Sequence, residues 1–511
     1  MGGLGNGLRL LRVARILARH DALFLLDKLD VAPVVRRIAR LVSRRNVDGR
    51  PGERLARALQ AAGPSFIKLG QALSTRSDLL GEELCEDLSA LQDALPPFSG
   101  AEARRAIEAE FEQPIDALFE AFDDAPVAAA SIAQVHFAIT RDGREVAVKV
   151  LRPGIETRFQ DDLNLFRWVA GLVEARAPAY RRFRPVAAIE TLAETVAMEM
   201  DLRFEAAAAA ELGDNFAGDP DFRVPTVDWS LTGHRVLTTE RIDGLAIDDR
   251  DALVEAGHDP TRILKIAANS FFRQAFRDGF FHADLHPGNM FVTPDGAVAV
   301  VDFGIMGRLD FQTRRTLGEM LLGFLTRDYR RVAEVHFEAG WVPAHKSVDA
   351  FTQACRAIAE PILDKPQNEI SIGRLLGLLF HVAQTFEMEV QPQLLLLQKT
   401  MLVAEGTARQ IEPDANMWLM ARPLIEDWMR AELGPEARIR RVATSLSDIA
   451  QRLPRILDEV ERAAATLADG RISLDDATLD ALKRGRGGGF MRWLSFALAL
   501  AAGALLASLQ F

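Results

Sequence analysis

Between Phe280 and Val292 the chain reads FFHADLHPGNMFV, and the next apolar run closes on Asp302-Phe303-Gly304, so polar side chains interrupt what would otherwise be core. Asp284 and Asn289 stand five positions apart, and Asp302 follows thirteen residues after Asn289. The Asp302 carboxylate and the Asn289 amide oxygen are hard ligands of the kind Mg²⁺ takes when phosphate and water complete its shell. Asp284 is then free to orient an acceptor hydroxyl and receive its proton. The chemistry implied is phosphoryl transfer from a metal-bound triphosphate.

Protein kinases space the same groups as H-R-D-x-x-x-x-N, with D-F-G beyond a short hairpin, and the spacing here matches. Such a site needs a lysine on an upstream strand. QVHFAIT and EVAVKVL, joined at Arg141-Asp142-Gly143, have the alternation of a β-hairpin. Val146, Val148 and Val150 share one face of its second strand, and Lys149 stands on the other beside Ala147. A helix carboxylate should hold that lysine. The candidates lie in Glu199-Met200-Asp201-Leu202-Arg203-Phe204-Glu205, within a helical region expected from about residue 161 to 212. On a regular helix Glu205 is about 240° round from Glu199, so these two acids need two different basic partners.

Other elements frame the site. Residues 60–122 read as helical, with a break at Pro96-Pro97 and Ser99 as an N-cap. HRVLTTERIDG reads as a strand and ILKIAANSFFRQAFRDG as a helix, and the FFHADLHPGN stretch becomes a loop after that helix. MFVT and AVAVVD are two short strands around Pro294-Asp295-Gly296, and helix dominates from Thr313 to about Glu461. His282 and His286 are expected to orient the loop through ring hydrogen bonds.

Composition limits the function. With 61 basic and 72 acidic residues the net charge is −11, which disfavours a general nucleic-acid role. Two cysteines, Cys85 and Cys355, lack any metal-type spacing and suit a reducing compartment. Residues 1–50 nevertheless carry eleven Lys and Arg against four Asp. Arg9, Arg12, Arg15 and Arg19 fall on one side of a helix with Leu10, Val13 and Leu17 opposite. Two readings stand for it: attachment to anionic lipid headgroups, or packing on the protein's own body. At the other end, the 19 residues from Trp493 to Phe511 hold no charge. At ~1.5 Å per residue they reach roughly 28 Å, the length of one membrane span. Lys483, Arg484, Arg486 and Arg492 precede it, which puts the large domain on the cytoplasmic side. Ala499, Gly503 and Ala507 form a small-residue face through which two spans can dimerise.

The chain resembles the UbiB/ADCK family of atypical, protein-kinase-like proteins of ubiquinone biosynthesis over about residues 60–420. KLGQ at Lys68 to Gln71, AAAS at Ala128 to Ser131, EMD at Glu199 to Asp201, and HADLHPGN with DFG carry the likeness. The resemblance implies that Glu205 pairs with Lys149 and that Ala128, Ala129, Ala130 and Ser131 form the loop over the phosphates. It also implies that Lys68, Gln71, Glu199 and Asp201 are regulatory, with the KLGQ face covering the active site. Alanine in place of glycine makes such a loop stiffer. No Ala-Pro-Glu follows Asp302-Phe303-Gly304, which goes with a site closed to protein substrates. Adenine is expected near Glu240 to Ile242.

The expected fold is therefore α+β: a bilobal protein-kinase-like fold with an N-terminal helical extension and a C-terminal transmembrane helix. Its parts are a basic amphipathic region (1–59), the helical extension (60–123), an N-lobe (124–242), a C-lobe (243–430), a helical region with a basic glycine linker (431–489) and the span (490–511). The expected function is a membrane-anchored atypical kinase or ATPase that uses ATP or ADP with Mg²⁺ and supports ubiquinone biosynthesis. Its catalytic residues are Asp284, Lys149 and Glu205, its metal ligands Asn289 and Asp302. Its partners are membrane lipid and quinone-pathway precursors and enzymes. A small-molecule phosphotransferase of the aminoglycoside-kinase type and a non-catalytic nucleotide- and lipid-binding scaffold are the alternatives. A flavin monooxygenase lacks its G-x-G-x-x-G fingerprint here.

Overall fold

The computed structural model describes residues 3–24, 47–74, 80–89, 91, 95–176, 181, 184–361 and 392–412, with scattered positions at 378–388 and 423–430. These belong, Arg430 apart, to one compact unit, Met1–Met429. The expected linker and terminal span lie outside the described residues. No helix among the described residues is long and apolar enough to cross a membrane.

The N-lobe is an antiparallel sheet in the order β1 (Phe119–Phe122), β3 (Ala133–Thr140), β4 (Glu145–Leu151), β6 (Val236–Glu240), with β2 (Ala128–Ala129) paired to β3. Gly143, at φ 86°, closes the β3–β4 turn in a conformation that glycine adopts without strain. Alternation does the rest. Val146, Val148 and Val150 are buried against Ala103 and Ile107 of helix Gly100–Phe111, while Lys149 stands half-buried on the opposite face. Ser99 caps that helix reciprocally with Glu102. The last residues of the stretch expected to be helical, Phe119–Phe122, are instead β1. Phe119 and Phe122 bury themselves under the sheet, so tertiary packing overrides local preference.

The helical region after the hairpin is three helices, Ile155–Arg176, Pro185–Glu199 and Leu202–Asn215. Proline opens the second. Asp201 leaves the helical conformation (φ −112°, ψ 95°) and accepts the Arg203 N–H, which starts the third. The region expected to be helical over about 161–212 is thus helical in three pieces, and because the chain leaves the helix at Asp201 the regular-helix angle between Glu199 and Glu205 does not apply.

Below the N-lobe, β5 (Phe222–Arg223), β10 (Val298–Val300), β9 (Met290–Val292) and β7 (Leu245–Ala246) form one small sheet, and β8 (Phe280–His282) pairs with β11 (Met306–Arg308). The expected loop after the helix therefore begins as a strand. Phe280 and Phe281 are buried there, and Gly307 opposite Phe281 has no room for a side chain: a Cβ would lie 2.2 Å from the ring. Helix Pro260–Phe272 continues as a π-turn, Arg273–Asp278, which lets buried Gln274 accept the His282 N–H at 2.9 Å.

Helices Phe311–Leu325, Tyr329–Glu338, Val348–Ala359 and Pro392–Ile411 follow. The N-terminal helix, Gly3–Arg19, lays Leu10, Val13, Ile16 and Leu17 against the core and pairs Arg9 with Asp161. Its apolar side is thus occupied by the protein's own body, and Arg12, Arg15 and Arg19 stay exposed.

Candidate functional site

Three strands and two loops converge on the cleft. β4 presents Lys149, β8 leads into the 282–289 loop, and β10 runs into Asp302. Lys149 Nζ donates to Glu205 Oε1 and Oε2 at 2.7 and 2.9 Å and to Asp302 Oδ1 at 3.0 Å. One ammonium thus serves two carboxylates. Burial alone would lower the Lys149 ammonium, yet Asp302 and Glu205 together hold it above its usual range. The Lys149 charge keeps the Asp302 carboxyl well below the ordinary carboxylate range. Burial pushes Glu205 up to about 7, with Lys149 opposing and Asp302 reinforcing the shift.

Asp302 sits in the left-handed region at φ 64°, a conformation that an aspartate adopts more readily than most residues. Phe303 is buried with its ring edge-on to His282. Burial lowers His282 and keeps it neutral. Its Nδ1 accepts the Asp284 N–H at 3.2 Å, which leaves the proton on Nε2, 3.2 Å from the Val301 carbonyl. His282 therefore joins the 282–289 loop to the strand before Asp302. Across that loop Asn289 Nδ2 donates to the Asp284 carbonyl at 3.1 Å. Its oxygen remains as an acceptor. His286 caps the short turn Pro287–Asn289 by accepting the Gly288 N–H at 3.1 Å.

A second ion pair lies at the N-terminal extension, where Lys68 of helix Pro64–Ser74 reaches Glu199 Oε2 at 2.8 Å and both side chains are at least 85% buried. Glu199 and Glu205, on either side of the break at Asp201, thus take separate lysines. Gly70 of the same helix is a packing residue: a Cβ there would lie 2.5 Å from Leu91 and 2.7 Å from Leu59. Gln71 is half-buried one turn beyond Lys68. Asp201 is committed to its cap and to Arg203, 2.7 Å away.

The alanine loop is pinned rather than loose. Ala128 and Ala129 pair with β3, the Ala130 N–H donates to the Ala133 carbonyl at 2.8 Å, and the Ala130 carbonyl accepts from Arg152 at 2.8 Å. Arg152 also donates to the Leu95 and Pro96 carbonyls, tying the loop to the Pro-Pro break. Ser131 is buried, and its hydroxyl has no partner among the described residues. Sequence reasoning passed over Arg152, whose place beside a strand end gave no signal of long-range contact. Glu240 and Ile242 line a cavity of about 320 Å³ with Phe216, Phe222 and Val224. None of Lys149, Asp284, Asn289 or Asp302 lines it. Lys399, from helix Pro392–Ile411, donates to Asp284 Oδ1 at 3.0 Å. Its one visible signal was a single cation after the run LLLLQ.

Comparison with known proteins agrees with this architecture. The sequence matches the ABC1 atypical kinase-like domain over residues 90–336 and the UbiB helical domain over residues 355–416. It is 42% identical to the "Probable protein kinase UbiB" of Marinobacter nauticus, over 89% of this chain and 85% of that one. The protein of the same description from Aeromonas hydrophila is also 42% identical, over 87% and 82% of the two chains. Among solved structures, Rv3197 of Mycobacterium tuberculosis in complex with erythromycin aligns with a TM-score of 0.52 and 26% identity, covering 70% of this chain and 91% of that one. A kinase-like domain with N-terminal helices, a C-terminal helical domain and these relatives together place the chain in the UbiB family of ABC1 atypical kinase-like proteins.

Proposed function

We propose that this chain is a membrane-anchored atypical kinase or ATPase that binds a magnesium-nucleotide in the cleft around Lys149 and supports ubiquinone biosynthesis. The observation that carries the reading is the Lys149–Glu205–Asp302 cluster beside the Asp284–Asn289 loop. The donor set suits Mg²⁺. Asp302 offers a half-exposed carboxylate and Asn289 an amide oxygen uncommitted among the described residues, the two protein ligands that such an ion takes alongside phosphate and water. These two residues would hold the ion, which supplies neutralisation of the phosphate charge. Lys149, fixed by Glu205, pairs with the phosphates, and Asp284 orients the acceptor and takes its proton.

The KLGQ helix tied to Glu199 and the pinned alanine loop support a site closed to polypeptide substrates, with a small molecule or water as acceptor. An aminoglycoside-kinase-type phosphotransferase has no use for that Lys68–Glu199 tie. A pure scaffold has no need of Asp284. Nucleotide turnover by the full chain in Mg²⁺, with and without anionic vesicles and a quinone-precursor analogue, tests the reading. Product formation that lipid and analogue stimulate is expected, and binding without any turnover would favour the scaffold.

The terminal segment and the exposed arginines of the first helix are read as the membrane contacts. Because Leu10, Val13, Ile16 and Leu17 are packed inward, the first helix offers lipid the charge of Arg12, Arg15 and Arg19, with Leu11 exposed beside them. Deleting residues 490–511 should leave an attachment that a high-salt wash removes, since surface electrostatics are screened beyond about 8 Å at physiological salt. Sedimentation of membranes before and after the wash checks this. Retention of the truncated protein through the wash would refute the terminal anchor.

A further inference from the structure

The carboxylate read above as the base is already occupied by a cation. Asp284 Oδ1 accepts from Lys399 Nζ at 3.0 Å, across 115 residues of chain, and Oδ2 lies 3.8 Å from His286 Nε2. The lysine belongs to helix Pro392–Ile411, where Leu397, Thr400 and Ala408 are buried, so its backbone is fixed by packing while its side chain, 52% exposed, can swing. Asp284 is its one hydrogen-bond partner among the described residues. An ammonium has three N–H groups, and two are left for another acceptor.

A half-exposed ion pair of this kind adds little to stability. Its position is what matters. Lys149 is engaged at the Glu205 and Asp302 side of the cleft, and among the described residues Lys399 is the lysine or arginine bonded to Asp284. Asp284 and Lys399 fall in different matched regions, the kinase-like domain (90–336) and the helical domain (355–416).

We infer that Lys399 is a catalytic residue of the phosphoryl-transfer site, a cation supplied by the helical domain to the γ-phosphate. The inference rests on the kinase or ATPase reading above. In the transfer, the acceptor oxygen bonds to the γ-phosphorus, the bond from that phosphorus to the β,γ-bridging oxygen breaks with its electron pair staying on ADP, and the acceptor proton passes to Asp284. Charge spreads over the three equatorial oxygens of the moving group. Lys399, one hydrogen bond from the base that holds the acceptor, shifts its free N–H groups onto one of those oxygens. Arginines supplied to other phosphoryl-transfer sites contribute ~10³–10⁵-fold in rate. A half-exposed lysine is more strongly screened, and ~10–10²-fold is expected here. The helical domain is then part of the active site rather than an appendage.

The test compares Lys399→Met and Lys399→Arg with the unmodified full chain. Kd is measured for Mg·ADP and for Mg²⁺ with the β,γ-imido analogue of ATP, alongside kcat, KM and the thermal midpoint. Lys399→Met should weaken the analogue about tenfold, leave ADP unchanged and lower kcat about 10–10²-fold, with no change in midpoint, because a charge-assisted contact to the γ-phosphate is lost. Lys399→Arg should recover most of the affinity and the rate. Equal weakening of both nucleotides, or no change in either, would overturn the assignment while leaving the kinase reading intact. Failure of the unmodified chain to bind either nucleotide would remove the kinase reading and this inference with it.

Discussion

Asp302→Asn should abolish the Mg²⁺-dependent thermal stabilisation of the full chain by ADP and ATP and lower turnover by about 10³-fold or more, since it removes the one carboxylate among the proposed metal ligands. Unmodified protein at a nucleotide concentration one hundred times Kd gains about 2.7 kcal/mol by mass action. The variant should gain none. Lys149 keeps Glu205 as its partner in the variant, so the fold survives and the comparison is fair. A second readout follows from Glu205. A carboxyl raised to about 7 in the folded state binds more protons folded than unfolded, so nucleotide-free stability falls as pH rises from the ordinary glutamate range toward 7. Burial is the larger cause and survives the substitution; the Asp302 charge does not. The fall should therefore be shallower in Asp302→Asn. An unreduced nucleotide shift in the variant would refute the metal assignment.

Lys68→Ala should destabilise the protein by about 1–3 kcal/mol and release a new activity, phosphorylation of its own chain. The first effect follows because Glu199, 15% exposed, is left buried without its ammonium, and orphaned buried charges are costly. The second follows because that pair ties helix Pro64–Ser74 to helix Pro185–Glu199, and a loosened cover admits polypeptide hydroxyls. Ala129→Gly or Ala130→Gly should act in the same direction by a separate route. Glycine lets the backbone approach the phosphates more closely and should also change the balance between ADP and ATP affinity. Adding Asp284→Asn to either background should abolish the modification. Denaturant melts give the stability change, and mass spectrometry after incubation with Mg·ATP reads the sites. Absence of phosphate in both variants would mean that neither element restrains a kinase chemistry.

What the sequence alone determined is local. The β3–β4 hairpin, the Ser99 cap and the order Asp284, Asn289, Asp302 are written in periods of two, in capping chemistry and in spacings of five and thirteen residues. Each is decided within a few residues of backbone. Tertiary structure decided which charges meet. Lys149 and Glu205 are 56 residues apart, and Lys399 and Asp284 115. A regular-helix argument could say only that Glu199 and Glu205 need different partners. In the fold a helix break at Asp201 stands between the two acids, and Lys68 meets Glu199 while Lys149 meets Glu205. The first helix makes the same point. Its amphipathic pattern fits a lipid surface and a protein core equally, because both are apolar on one side and wet on the other. Packing against the body takes Leu10, Val13 and Leu17 of the apolar side and leaves Arg12, Arg15 and Arg19 exposed on the other.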